Sequence, residues 1–319
     1  MERRAPSPTA IAIAVHRAAH QLLDDEPKIL NDPFARDLAG LANDEELKKA
    51  FEAFAMPDFP RMRVHFTLRS RYAEDELSMA IERGVSQYVI LGAGLDSFAF
   101  RRPDLMPNLH VYEVDHPATQ SWKRARVEEL SIPVPPTLHY VPIDFESGAL
   151  STGLAVGGLD REAKTFFSWL GVIQYLARDA VLNTLREIAS VAAPGSELVI
   201  QFVVPAATIG GAEGDLVTAL ADRAANMGEP FRSFFKPEDL EANLKQAGFG
   251  DIVHFAAEQA TERYLRGRKD GLTLPAYFRM IKARVGGDEQ LVLRRRARAA
   301  RSEIAGAVSG TIRRGAHTS

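Results

Sequence analysis

Gly92-Ala-Gly-Leu-Asp-Ser97 follows directly on an apolar run, Tyr88-Val-Ile-Leu91, that reads as a strand. Glycine at 92 and 94 lets the backbone turn tightly and lets a ligand approach where a Cβ would obstruct it. Alone, such a turn fits nicotinamide, flavin and nucleoside-sulfonium cofactors, or nothing beyond a tight turn. The third glycine of the dinucleotide fingerprint is absent, with Ser97 in its place, which favours a cofactor without a pyrophosphate. A second signal, Glu113-Val-Asp115, lies 21 and 23 residues beyond Gly92, at the end of the next apolar run. A carboxylate there can accept hydrogen bonds from both vicinal ribose hydroxyls, or can cap the helix that Pro117 begins. The third signal is Ile143-Asp144-Phe145, where the acid can accept from an adenine amine while the aromatic ring packs on the base. At the carboxyl ends of three consecutive strands, these features converge on one crevice.

The elements around them support that placement. From Gln87 onward, short apolar runs alternate with helices: Tyr88–Leu91, Leu109–Val114, His139–Pro142, Thr165–Trp169 and Glu197–Val204, with a clear helix over Arg178–Val191. This alternation implies right-handed crossovers and a parallel sheet, hence an α/β, doubly wound, Rossmann-like fold of about seven strands. Ile209–Gly214 reads as a flexible hinge, followed by a helix near Asp215–Asn226 and another that begins at Pro237 and stops at Gly248. Strands are expected at Asp251–Phe255 and near Tyr277–Val285.

Upstream, residues 8 to about 80 read as helical. Thr9–Val15 resembles a short signal-peptide core but is read as helix, His16–Leu23 is a short helix candidate, and Asn31-Asp32-Pro33-Phe34 is a turn. Further helices are expected over Asp44–Phe54 and Thr67–Gly84. The division is then an N-terminal helical extension (1–84), a main domain (85–285) with a lid insertion at 205–235, and a basic tail (286–319) carrying seven arginines and three acids.

Composition sets the bounds. Lys+Arg of 39 against Asp+Glu of 42 leaves a net charge of −3, without the basic excess of a nucleic-acid binder. The absence of cysteine excludes disulfides, thiolate metal sites and cysteine nucleophiles, and fits a cytoplasmic location. No apolar run reaches the ~18 residues that cross a bilayer, so no membrane partner is expected.

The chain resembles the class I S-adenosylmethionine-dependent methyltransferases, and within them the leucine carboxyl methyltransferase-like branch that includes many bacterial O-methyltransferases. The matching stretches are Asp32–Ala35, Leu68–Arg71, Leu91–Ser97, Glu113–Pro117, Ile143–Phe145, Trp169–Leu176, Gly228–Phe231, Gly248-Phe249 and Arg263–Arg268, in the family's order over roughly 30 to 285. The resemblance implies S-adenosyl-L-methionine as cofactor. Arg69, with Arg71 as the alternative, would pair with its methionine carboxylate, Gly92 and Gly94 would line the methionine–ribose part, Asp115 would hold the ribose, and Asp144 with Phe145 the adenine. Glu113 matches the family's ribose contact less well than Asp115.

The implied reaction is in-line methyl transfer to a carboxylate or hydroxyl of a small metabolite, giving S-adenosylhomocysteine. A water-poor pocket does not penalise a transition state in which positive charge disappears, and orientation supplies several kcal/mol. A carboxylate acceptor needs no general base, a hydroxyl benefits from one, and no base stands out. One position departs from the family: Leu170 stands where a glutamate is usual and cannot hydrogen-bond. That motivates an alternative, a protein of this fold that binds the cofactor without methylating; the glycine turn and ribose acid motivate a second, an NAD-dependent oxidoreductase. Tyr175 and Gln174 are the candidate substrate contacts, with packing under the lid as the other reading. Phe51, Phe54, Met56, Phe59, Phe66, Met227, Phe231, Phe234 and Phe235 point to a hydrophobic acceptor or to lid core. His16 and His20 have helical metal spacing without a third ligand, so no metal is expected. His116 is read as a helix start, while His65, His139 and His254 look isolated.

Overall fold

The computed structural model describes residues 7–53 and 58–286. Phe54, Met56 and the basic tail beyond Gly286 lie outside the described residues, as does the side chain of Phe59.

Seven strands form one sheet: β1 (Gln87–Leu91), β2 (His110–Asp115), β3 (Leu138–Pro142), β4 (Thr165–Trp169), β5 (Glu197–Gln201), β6 (Phe249–Ala256) and β7 (Arg279–Val285). Their order is β3-β2-β1-β4-β5-β7-β6, with the first five parallel and β7 antiparallel to both neighbours. Strands β1, β4 and β5 are buried along their whole length. Covering both faces with helices requires that, which is why their sequences are near-continuous apolar runs. The chain steps outward from β1 to β3, then returns to the other side of β1 with β4. This reversal opens a crevice at the carboxyl end of β1, and the glycine turn stands there.

Helices were legible where their ends carry signals. Helix α4 (Pro117–Glu129) starts with His116 as its N-cap, whose Nδ1 accepts from the Ala118 N–H at 3.2 Å. Residues Leu150–Val156 form α5 and Arg178–Val191 form α6. The last main helix, α8 (Pro237–Ala247), has proline in its first turn and stops at Gly248, whose φ of 107° is left-handed. The glycine-rich stretch expected as a hinge is mostly helical: a single turn, Ala206–Ile209, is followed at once by α7 (Gly211–Asn226), and only Gly210 and Gly211 break the path.

Two N-terminal helices are longer than the sequence suggested. Helix α1 (Pro8–Leu23) joins the two expected pieces, and α2 spans Asp44–Ala53. Helix α3 (Phe59–Glu82) begins eight residues before Thr67. Met62, Arg63, Val64, His65, Thr67, Leu68 and Arg69 are all buried. A helix enclosed on every side has no single apolar stripe for a periodicity reading to find.

Glu113 and Lys123 form a buried ion pair, Oε2 to Nζ 2.6 Å, with both side chains 1% exposed. It ties β2 to α4 and keeps Glu113 out of the crevice. Burial pushes the Glu113 carboxyl above its ordinary range, and the lysine partly offsets this. Lys123→Met strands that carboxylate and is expected to cost ~3–5 kcal/mol, while Glu113→Leu added to it recovers most of the loss. Urea unfolding of the two variants checks this, and equal destabilisation in both contradicts it.

Candidate active site

A large cavity, about 740 Å³, lies at the carboxyl ends of β1, β2, β3 and β4, under the start of α1 and the Gly228–Arg232 segment. Arg69, Gly92, Gly94, Asp115, Asp144, Phe145 and Tyr175 all border it. Gln174 does not; it faces a smaller cavity of about 80 Å³ behind Tyr175. Thr9, Ile13, Arg69 and Tyr175 border both spaces and mark where the two adjoin.

The turn after β1 is left-handed at both glycines, with φ of 70° at Gly92 and 53° at Gly94. A Cβ on Gly92 would stand 2.2 Å from a methyl of Val172, so part of what this glycine makes room for is the segment after β4. Asp115 ends β2 and accepts from the backbone N–H groups of Gly94 (2.5 Å) and His116 (2.6 Å). Burial raises its pKa, and those two bonds work against the rise. Asp144 is more open; the Glu146 N–H and Ser147 hydroxyl, each at 2.9 Å, hold its carboxyl below the ordinary range. Phe145 packs tilted against Trp169, 6.1 Å between ring centres.

Arg69 is 5% exposed. No carboxylate lies within ion-pair distance of it among the described residues; its guanidinium reaches Gln201 Oε1 at 3.4 Å and sits over the Phe66 ring at 5.0 Å. Burial lowers its pKa to about 10, so it stays cationic at neutral pH. Gly171 gives it space: a Cβ there would fall 2.3 Å from Nη1. Arg71 is placed differently. It pairs with Asp75 at 2.8 Å, donates to the Ile29 carbonyl, and does not border the large cavity.

Sequence reasoning missed the charged scaffold beside the glycine turn. Arg17, on α1, lies 3.2 Å from Asp32 and 3.7 Å from Asp96, and donates to the Leu95 carbonyl. Ser97, buried where the dinucleotide fingerprint has glycine, donates to Asp32 at 2.6 Å and accepts from Arg101. Burial opposes ionisation of Asp96, but Arg17, Arg101 and Lys123 outweigh it and hold its carboxyl below the ordinary range. Asp32-Pro33 and Asp96-Ser97 were visible as motifs; that they meet was not. Leu170 borders the cleft and packs against the core beside α3.

Phe66, Met227 and Phe231 line the small cavity, whereas Phe235 is fully buried in the central core and Phe51 packs with α1. The histidine spacing of α1 serves packing: His20 bonds Asp24 at 2.6 Å and accepts from the Ile29 N–H, and no metal cluster occurs among the described residues. His139, which looked isolated, stacks on His110, with its Nε2 3.1 Å from the His110 Nδ1. No helix among the described residues is long and apolar enough to cross a membrane.

The profile of leucine carboxyl methyltransferases matches residues 10–189, more than half of the chain. The chain belongs to the leucine carboxyl methyltransferase family. A Bacillus subtilis protein named "Putative S-adenosyl-L-methionine-dependent methyltransferase YktD" is 35% identical over 205 residues, covering 64% of this chain and 67% of the relative. A Mycobacterium tuberculosis relative of the same description is 27% identical and covers 89% and 88%. Among solved structures, a "putative methyltransferase" from Thermobifida fusca aligns with a TM-score of 0.56 at 18% identity over 79% and 93% of the two chains. Likeness at that identity establishes the fold.

His16 and His65 line the small cavity and are both buried. Burial lowers His16 to about 4 and His65 to about 3, from 6.5. Both are therefore neutral when folded, while the unfolded chain takes up their protons below pH ~6.5. Stability should be intact above that pH and fall as pH drops toward 4, by ~2 kcal/mol per histidine at pH 5. His65→Gln should flatten the stability–pH slope between pH 6 and 4.5 by about one proton in urea melts; an unchanged slope contradicts the assignment.

Proposed function

We propose that this protein transfers a methyl group from S-adenosylmethionine to an oxygen, carboxylate or hydroxyl, of a small hydrophobic metabolite. The protein is a methyltransferase and S-adenosylmethionine is its cofactor; family membership leaves the oxidoreductase alternative without support. The observation that carries the placement of the cofactor is Arg69, a buried cation with no carboxylate partner among the described residues, set where the large cleft meets the small cavity. A buried charge left unpaired is costly, so its position favours a ligand that brings the anion.

The residues present fit the cofactor. Arg69 would hold its carboxylate, Gly92 and Gly94 would line the methionine–ribose part, Asp115 would accept from ribose hydroxyls, and Asp144 with Phe145 would hold the adenine. When bound, the cofactor supplies an electrophilic methyl on a cationic sulfur. The chain's own contribution is to orient the acceptor and exclude water. Thr9 N–H donates to Glu229 Oε2 at 3.1 Å and Arg232 pairs with Glu146 at 2.8 Å, so α1 and the Gly228–Arg232 segment are clasped over the cleft. Tyr175 stands at the junction, and Gln174 lies beyond it.

Of the two acceptor types, the small cavity favours a carboxylate. Its titratable bases are His16 and His65, both held neutral far below pH 7, and no aspartate or glutamate lines it. Groups of such low basicity take a proton from a hydroxyl poorly, whereas a carboxylate arrives already ionised. Leu170 contributes no polar contact, which keeps a non-methylating cofactor binder as the second reading.

Arg69→Ala is expected to weaken S-adenosylhomocysteine binding by ~1–3 kcal/mol in calorimetric titration, with Arg71→Ala unchanged. Labelled S-adenosylmethionine supplied with a cell extract should yield a labelled methyl ester or ether, identified by mass spectrometry. Binding without transfer to any component would favour the second reading.

A further inference from the structure

The small cavity has two cations on its wall, Arg69 and Arg223, and no acid. This inference rests on the proposed function, in which Arg69 is engaged by the cofactor; Arg223 is then the cation left to the acceptor. Arg223 comes from the last turns of α7, with Leu220, Ala224 and Met227, and does not border the large cleft. Its Nη2 donates to the Ala53 carbonyl at 3.1 Å, and it has no ion-pair partner among the described residues. Its charge is felt by His16 on the facing wall.

A second observation points the same way. His65 is 5% exposed, lines this cavity, and its Nδ1 is buried without a hydrogen-bond partner. The side-chain oxygen assigned to Gln174, equally buried on the same wall, is also unpartnered. The remaining contacts of the His65 ring are aromatic: Phe66, Tyr277 and Phe278, at 5.3–5.8 Å between ring centres. Buried polar atoms without partners are uncommon in folded chains, and a cavity that concentrates them is shaped for a ligand that supplies the missing bonds. The cavity volume of about 80 Å³ is roughly the space of two to three waters, enough for a short alkyl chain.

We infer that Arg223 determines acceptor specificity by holding an anionic group of a small apolar organic acid, with His65 donating a further hydrogen bond to it from Nδ1. The apolar body of the acid lies among Met62, Phe66, Val203 and Phe231. The guanidinium contributes two directed donors as well as charge, so a lysine at 223 restores the charge but not the fork.

The test is calorimetric titration of the protein, saturated with S-adenosylhomocysteine, using propionate, butyrate and hexanoate against their primary amides. The wild type should bind at least one carboxylate ten-fold or more tighter than its amide. Arg223→Gln should erase that preference and Arg223→Lys should retain part of it. S-adenosylhomocysteine affinity should be unchanged in both variants, which also reports that they fold. A wild type that takes up S-adenosylhomocysteine but prefers no carboxylate, or an Arg223→Gln variant that keeps the preference, overturns the inference alone. A wild type that does not bind S-adenosylhomocysteine overturns the underlying reading and the inference with it.

Discussion

The arrangement depends on a buried network of charges beside the glycine turn. Arg17 from α1, Asp32 from the Asp-Pro turn, Asp96 and Ser97 from the turn after β1, and Arg101 paired with Glu74 of α3 meet beside the cleft, with Arg17, Asp32, Ser97 and Glu74 buried. Taking these groups out of water is expensive, and the cost is offset only when all of them are present in one geometry. The network therefore specifies where the N-terminal helices sit. With α1 pinned over the carboxyl end of β1, the cleft acquires a roof, and the Gly92–Gly94 turn acquires a second wall.

Helix α3 then does two jobs at once. Val64, Leu68, Tyr72 and Leu77 pack into the core beside the sheet, while Met62, His65, Phe66 and Arg69 line the small cavity. One helix thus couples the rigidity of the core to the position of the buried cation. The electrostatic result is lopsided. The large cleft is bordered by the acids Asp96, Asp115, Asp144 and Glu229 and by Arg17, Arg69 and Arg232, a mixture that suits a ligand carrying both signs of charge, whereas the small cavity has only arginines as charged groups. The boundary between these two environments lies at Arg69 and Tyr175.

Much of this was legible in the chain. The parallel strands announced themselves as short apolar runs because burial on both faces leaves no polar alternation. Helices α6 and α8 were legible through a one-sided stripe, an N-terminal proline and a terminal glycine. Longer-range facts were not legible. The stretch 62–70 of α3 carries no stripe because nearly every side of it is enclosed, and the glycines near 210 looked like a hinge because glycine has the same local signature at a tight break between helices as in a flexible joint. His110 and His139 lie 29 residues apart and meet only because β2 and β3 pair in register.

By itself, the order of residues determined the layered α/β class, the crevice at the end of β1, and the placement of Asp115 and Asp144 at neighbouring strand tips, because these follow from local periodicity and from strand direction. The family resemblance put Arg69 first and kept Arg71, two residues away on the same helix, as the alternative. Only the packed structure separated them, since α3 turns Arg71 outward to Asp75 and Arg69 inward to Gly171. It likewise decided that Glu113 is spent on Lys123, that Ser97 is spent on Asp32, and that two arginines without acids share a cavity wall. Those outcomes depend on which charges meet in space, and sequence distance does not encode that.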